Sequence, residues 1–252
     1  MTWNPVSRLR SVLILGSLVT AAALAVVTAL PVSASGDYMS GHGGSDVSWP
    51  QCGRAVDITP DSFSIVGVNN GRPFTMNPCF AGQYAWSKGG HAAPASVYIN
   101  LEYGETSDGY NRCAAADHGC AAYDFGFLTA QYAYTVANYT SHGDSLHAST
   151  WWLDVETDNV WNDNTGLNAQ VIRGALEYLR STGHKMGVYS TPHMWGVIAG
   201  GYNPGPSVGN WIAGADSTDD YSQCFNPLWP GGQVWVFQYL NYDIDLDQNH
   251  AC

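Results

Sequence analysis

Trp151-Trp152-Leu153-Asp154-Val155-Glu156-Thr157 reads as a short buried strand that ends by presenting two carboxylates. Side chains alternate along a strand, so Asp154 and Glu156 point the same way, roughly 6.6 Å apart along the backbone. Leu153 and Val155 point the other way, into apolar packing. Two carboxylates on one face repel unless a ligand, a cation or a shared proton relieves them, and that conflict is how acid–base sites arise. An arbitrary D-x-E is most often a solvated strand end, so its meaning depends on the chain around it.

That chain alternates strands with helices. Before the acids, the patterns give strands at residues 45–51, 64–69 and 95–102, a helix at Phe80–Ser87, and a polar, cysteine-bearing loop at 104–119. A helix over 121–141 carries Phe125, Leu128, Tyr132 and Val136 at spacings of three and four. After the acids comes a helix over 167–181, with Val171, Ala175, Leu176 and Leu179 on one face and Gly183 as its stop. A strand at Lys185–Ser190, a helix opened by Thr191-Pro192, and strands at 210–216 and 233–239 follow. This rhythm predicts an α/β fold with a largely parallel sheet. Strands ending in polar or aromatic residues point to a single TIM-like β/α barrel with its site at their C-terminal ends.

Residues 1–34 have the pattern of an export signal: Arg8 and Arg10, an apolar run over 12–30, and Val32-Ser33-Ala34 as the cleavage site. The run is long for a signal, so an uncleaved membrane anchor is the alternative. With the signal cleaved, no stable membrane insertion is expected. Residues 35–44 read as a mobile lead-in, and 45–252 as one barrel domain. The formal net charge is −12, which excludes nucleic acid, a partner held through cationic side chains. Only 12% of residues are charged against 13% aromatic; such a surface suits carbohydrate, whose apolar ring faces stack on aromatics. Six cysteines, all after the signal, read as disulfides of an exported chain. Sequence alone leaves the pairing open; the expected set is Cys52–Cys79, Cys113–Cys120 and Cys224–Cys252, the last tying down the C-terminus. A zinc site is disfavoured, since no C-x₂-C pair is present.

A series of motifs runs in order over nearly the whole mature chain: Asp46-Val47-Ser48 with Gln51, Asn77-Pro78-Cys79-Phe80, Asp154-Val155-Glu156, Gly187-Val188-Tyr189-Ser190 with Trp195, Trp211-Ile212-Ala213, Phe237-Gln238-Tyr239, and Ile244-Asp245-Leu246-Asp247. Together they resemble the D-V-S-x-x-Q, D-P-x-F, D-x-E, G-V-Y-S, W-x-A, W-Q-Y and V-D-L-N motifs of the family 25 glycoside hydrolases, the muramidase-type lysozymes. Phe237 stands where that family usually has Trp, Asp247 where it has Asn, and Val68-Asn69-Asn70-Gly71 where it has a charged segment. The resemblance implies a catalytic site of Asp46, Asp154, Glu156 and Asp245. Glu156 would be the general acid, kept protonated by neighbouring carboxylates and partial burial. Asp154 would stay ionised, stabilising an oxocarbenium-like centre or orienting a substrate N-acetyl group. Asp46 and Asp245, on the first and last strands, would add negative charge across the mouth. Tyr189, Trp211 and Tyr239 are candidates for contact with sugar, with plain barrel filling as the competing role.

No metal or cofactor is expected. Asp243, Asp245, Asp247 and Asn249 imitate the start of a calcium loop, but Gln248 stands where that loop needs Gly. The implied function is a secreted glycoside hydrolase acting on cell-wall peptidoglycan or a related N-acetylated polysaccharide. The protein is expected to be monomeric, and extracellular or wall-associated. The alternative is a non-catalytic barrel that binds wall glycan through the same cleft. The four acids favour the enzyme; the acidic surface and the atypical second strand favour the binder.

Overall fold

The computed structural model describes Met1 and residues 38–53, 63–89, 95–104, 113–114, 116–241 and 246–252. Strands β1 (Gly43–Val47), β2 (Phe63–Gly67), β3 (Ser96–Asn100), β4 (Thr150–Asp154), β5 (Lys185–Ser190), β6 (Gly209–Ala215), β7 (Gln233–Asn241) and β8 (Leu246–Ala251) close into a barrel in chain order. From β1 to β7 every neighbouring pair is parallel. Helices α1 (Phe80–Ser87), α2 (His118–Thr140), α3 (Thr165–Ser181) and α4 (Pro192–Ala199) follow β2, β3, β4 and β5.

The regular β/α rhythm stops there. A short 3₁₀ turn, Tyr221–Phe225, stands between β6 and β7, and β8 is antiparallel to both β7 and β1. A parallel neighbour requires a crossover of a dozen or more residues, whereas a short connection permits only an antiparallel return. Only four positions of sequence separate the end of β7 from the start of β8. As a result β8 begins at the end where the other strands finish, so its first residues share their mouth.

Alternation sorts the side chains. On β4, Trp151 and Leu153 pack into the outer apolar layer between strands and helices, while Trp152 joins the barrel interior with Phe63, Ile65, Trp211 and Val236. These large rings need space opposite them. A Cβ on Gly187 would overlap the Trp152 ring, and one on Gly209 the Trp235 ring. Tyr38 closes the end near the strand starts. It lies 2% exposed, its hydroxyl 2.5 Å from Ser96 Oγ and accepting from Trp152 Nε1 at 2.9 Å. Part of the lead-in expected to be mobile is therefore built into the barrel, because Tyr38 is a plug and Gly43 and Gly44 already belong to β1.

Helix α2 also differs from its sequence pattern. Its buried side is Ala122, Phe125, Thr129, Ala130, Ala133 and Ala137, while Tyr132 is exposed. Small side chains let the helix approach its neighbours closely; of the expected stripe Phe125 is buried, Leu128 and Val136 are half-buried and only Tyr132 is exposed. Disulfides Cys52–Cys79, Cys113–Cys120 and Cys224–Cys252 span Cα–Cα distances of 5.8, 5.8 and 5.5 Å. Among the described residues no helix is long and apolar enough to cross a membrane. The export signal expected at 1–34 lies outside the described residues, Met1 apart.

Candidate active site at the barrel mouth

β4 ends at Asp154, yet its alternation continues. Val155 N donates to Tyr189 O at 3.0 Å and Ser190 Oγ donates to Val155 O at 2.7 Å. Val155 is thus held in the outer layer, and Glu156 keeps the facing of Asp154. Both acids line a cavity of about 280 Å³, together with Asp46 from β1, Asp247 from β8, and Tyr98 and Asn100 from β3.

Asp46 is 6% exposed. Its Oδ2 accepts from Gln238 Nε2 at 2.9 Å and from Asn249 Nδ2 at 2.7 Å. Both amides are themselves oriented: Tyr189 OH donates to Gln238 Oε1 at 2.7 Å, and Trp211 Nε1 donates to Asn249 Oδ1 at 2.8 Å. Burial pushes the Asp46 carboxyl up to about 8, Asp247 adds to the rise, and the Gln238 and Asn249 hydrogen bonds oppose it.

Asp154 is 5% exposed and accepts from Asn100 Nδ2 through Oδ2, while its Oδ1 is buried without a hydrogen-bond partner. Burial first, then the charges of Glu156, Asp46 and Asp158, hold its pKa well above the usual carboxylate range. Among the described residues lining the cavity, no Lys, Arg or His offsets this desolvation. Glu156 is half-buried, and burial with the charges of Asp158 and Asp247 raises it as well. Trp161 Nε1 donates to the Glu156 carbonyl at 2.9 Å and anchors the backbone there.

Three of the four expected acids, Asp46, Asp154 and Glu156, therefore share one cavity; Asp245 lies outside the described residues. Asp247, two positions further on, lines the site. Tyr189 and Trp211 also line it, but the hydroxyl of one and the indole N–H of the other serve the amides that hold Asp46. Trp211 is only 2% exposed, its ring 4.6 Å from that of Tyr189. Tyr239 is a correction. It follows the inward-facing Gln238, so it points the other way and packs against the outer apolar layer. Sequence reasoning passed over Tyr98, Asn100, Gln238 and Asn249. Gln238 stood inside a quoted motif, and Asn100 shares the inward alternation of Tyr98 at the end of β3.

Comparison with known proteins fits this geometry. Residues 128–224 match the family model described as Lysozyme-like protein 1. "Probable GH family 25 lysozyme 4" of Dictyostelium discoideum is 33% identical over 90 residues, covering 34% of this chain and 41% of that protein. "Probable GH family 25 lysozyme 2" of the same organism is 30% identical over 102 residues, covering 39% and 45%. The chain thus matches less than half the length of these curated relatives. A family 25 glycosyl hydrolase from Bacillus anthracis superposes with a TM-score of 0.52 at 14% identity, over 84% of this chain and 89% of that one. The catalytic domain of an endolysin from a Listeria monocytogenes bacteriophage gives 0.51 at 13% identity, over 84% and 93%. At such identity the superpositions establish the fold. The chain is a β/α barrel, similar over part of its length to lysozyme-like and glycoside hydrolase family 25 proteins.

Proposed function

We propose that this protein is an exported glycoside hydrolase that cleaves cell-wall peptidoglycan or a related N-acetylated polysaccharide. The observation that carries the reading is the convergence of Asp46, Asp154 and Glu156 in one cavity, where burial raises the pKa of each. Glu156, the most open of the three, delivers its proton to the glycosidic oxygen; an acid that keeps its proton towards neutral pH is what that step requires. Asp154, which lines the same cavity, accepts from the N–H of a substrate acetamide. Once Asp154 has released its proton to solvent, its carboxylate stabilises the positive charge developing on the sugar. The sequence likeness to proteins named as probable lysozymes points to wall glycan as the polymer, and the apolar leader with three disulfides supports export.

The test is incubation with purified peptidoglycan from acidic to neutral pH, with mass analysis of released sugars. Release of reducing-end muropeptides is expected. Glycan binding without release at any pH would replace the enzyme with a binding barrel, the reading favoured by the strongly acidic balance of the chain.

A further inference from the structure

We infer that Trp49 is a stacking platform at the rim of this cavity, seating an uncharged N-acetylated pyranose of the substrate. The inference rests on the glycan-site reading above and names the contact that reading lacks, since Tyr189 and Trp211 are committed to holding Asp46 and Tyr239 faces away. Trp49 lines the cavity while remaining 47% exposed. A single exposed aromatic is unremarkable on its own; here the support is built. Trp49 opens a 3₁₀ turn, Trp49–Gln51, with Pro50 inside it, and Gln51 Oε1 accepts from Ser48 N at 2.9 Å. Gln83 Nε2, from α1, donates to Ser48 O at 2.6 Å, and Cys52 at the end of the turn is bonded to Cys79 at the start of α1. Gly71, with φ +72°, lies alongside: a Cβ there would come 3.5 Å from Trp49 Nε1. The backbone that carries the indole is therefore braced before any ligand arrives, which lowers the entropy lost on binding.

Charge selects the sugar. The ionisable side chains lining the cavity are carboxylates and tyrosines, and among the described residues no Lys, Arg or His joins them. A carboxylated sugar at the rim would give up hydration with no lining Lys, Arg or His among the described residues to receive its charge. An uncharged N-acetylated ring presents an apolar face to the indole and carries no charge to desolvate.

The experiment compares wild type, Trp49→Ala, Trp49→Phe and Glu156→Gln, using an uncharged N-acetylglucosamine oligomer for binding and peptidoglycan for turnover. Trp49→Ala is expected to raise KM and Kd about tenfold, equivalent to about 1.4 kcal/mol, with kcat nearly unchanged. Trp49→Phe should recover most of that loss, and Glu156→Gln should show the reverse split. Unchanged KM and Kd in Trp49→Ala, with an active wild type, would overturn the platform and leave the glycosidase. Binding without hydrolysis, weakened by Trp49→Ala, would keep the platform and remove the glycosidase. Tighter binding of a carboxylated glycan than of the neutral oligomer would overturn the choice of sugar, and no binding of either by the wild type would overturn platform and glycosidase together.

Discussion

The acids at the mouth make the fold itself pH-dependent, and Asp46→Asn isolates their effect. In the unfolded chain Asp46 loses its proton near pH 4, whereas in the barrel it keeps it up to about 8. Below about pH 4 both states are protonated and the group contributes no difference. Between about pH 4 and about pH 8 the unfolded state releases a proton that the folded state holds, so stability falls as pH rises, by about 1.4 kcal/mol per pH unit for one group. Across the interval a lone Asp46 would cost on the order of 5 kcal/mol. Asp154 and Glu156 shift the same way, and because these groups interact the measured slope belongs to the cluster.

Asn at position 46 is neutral at every pH and has the shape of the protonated acid. Its amide oxygen still accepts from Gln238 and Asn249, so the hydrogen bonds to Oδ2 are retained. Urea unfolding followed by tryptophan fluorescence, from about pH 5 to about pH 8, should show a wild type that loses stability as pH rises. The variant should follow a shallower slope, nearly equal to wild type at the acid end and more stable at the other. A wild type that gains stability towards about pH 8, or a variant with a parallel slope, would refute the buried-proton account.

Other outcomes follow from the same geometry. Glu156→Gln should reduce glycan turnover by about 10² to 10⁴, the usual worth of a general acid, with binding nearly intact; Asp154→Asn should also be damaging, in kcat more than in KM. The activity of the wild type should fall as pH rises through the raised Glu156 titration, read from a kcat profile. Gly187→Ala should destabilise the barrel by about 1–3 kcal/mol, since the added methyl would overlap the Trp152 ring; chemical denaturation measures it. Replacing Cys224 and Cys252 together with Ser should cost about 3–4 kcal/mol, as removal of a closed loop of this length predicts.

The strands and most helices were legible because their signals are local. Period-two alternation placed Asp154 with Trp152, and the one-face pattern of α3 placed Val171, Leu176 and Leu179 in the core. What escaped notice depends on long-range packing. Tyr38 reads as loop until Ser96 and Trp152, 58 and 114 positions away, supply its partners. The larger apolar residues of α2 suggested its buried side, but close helix packing fully buried only Phe125 of them and filled the rest of that side mainly with alanines. Tyr239 looked like a ligand for sugar because it sat in a motif; strict alternation from Gln238 would have turned it outward. Asp247 stood out only as a departure from a pattern, since nothing local reveals that β8 returns antiparallel and starts at the mouth.

That return is what completes the site. Asp46 and Asn249 are 203 positions apart, yet Asn249 donates to the acid at 2.7 Å because β8 closes the barrel against β1. On the other side of β8, Gln238 from β7 donates to the same oxygen. A parallel β8 would run from the plugged end towards the mouth, reversing the order in which its residues approach Gln238 and Asp46. The antiparallel strand instead brings Asp247 to the cavity and sets Asn249 beneath it, where its amide can meet Asp46 and its carbonyl can meet Trp211. Each amide has one end on the acid and the other on an aromatic donor, so neither can flip without losing a bond. Asp46 is thereby fixed in position while burial raises its pKa and the two amides oppose the rise. The clamp gives a carboxyl cut off from water two hydrogen bonds, which offset part of its desolvation.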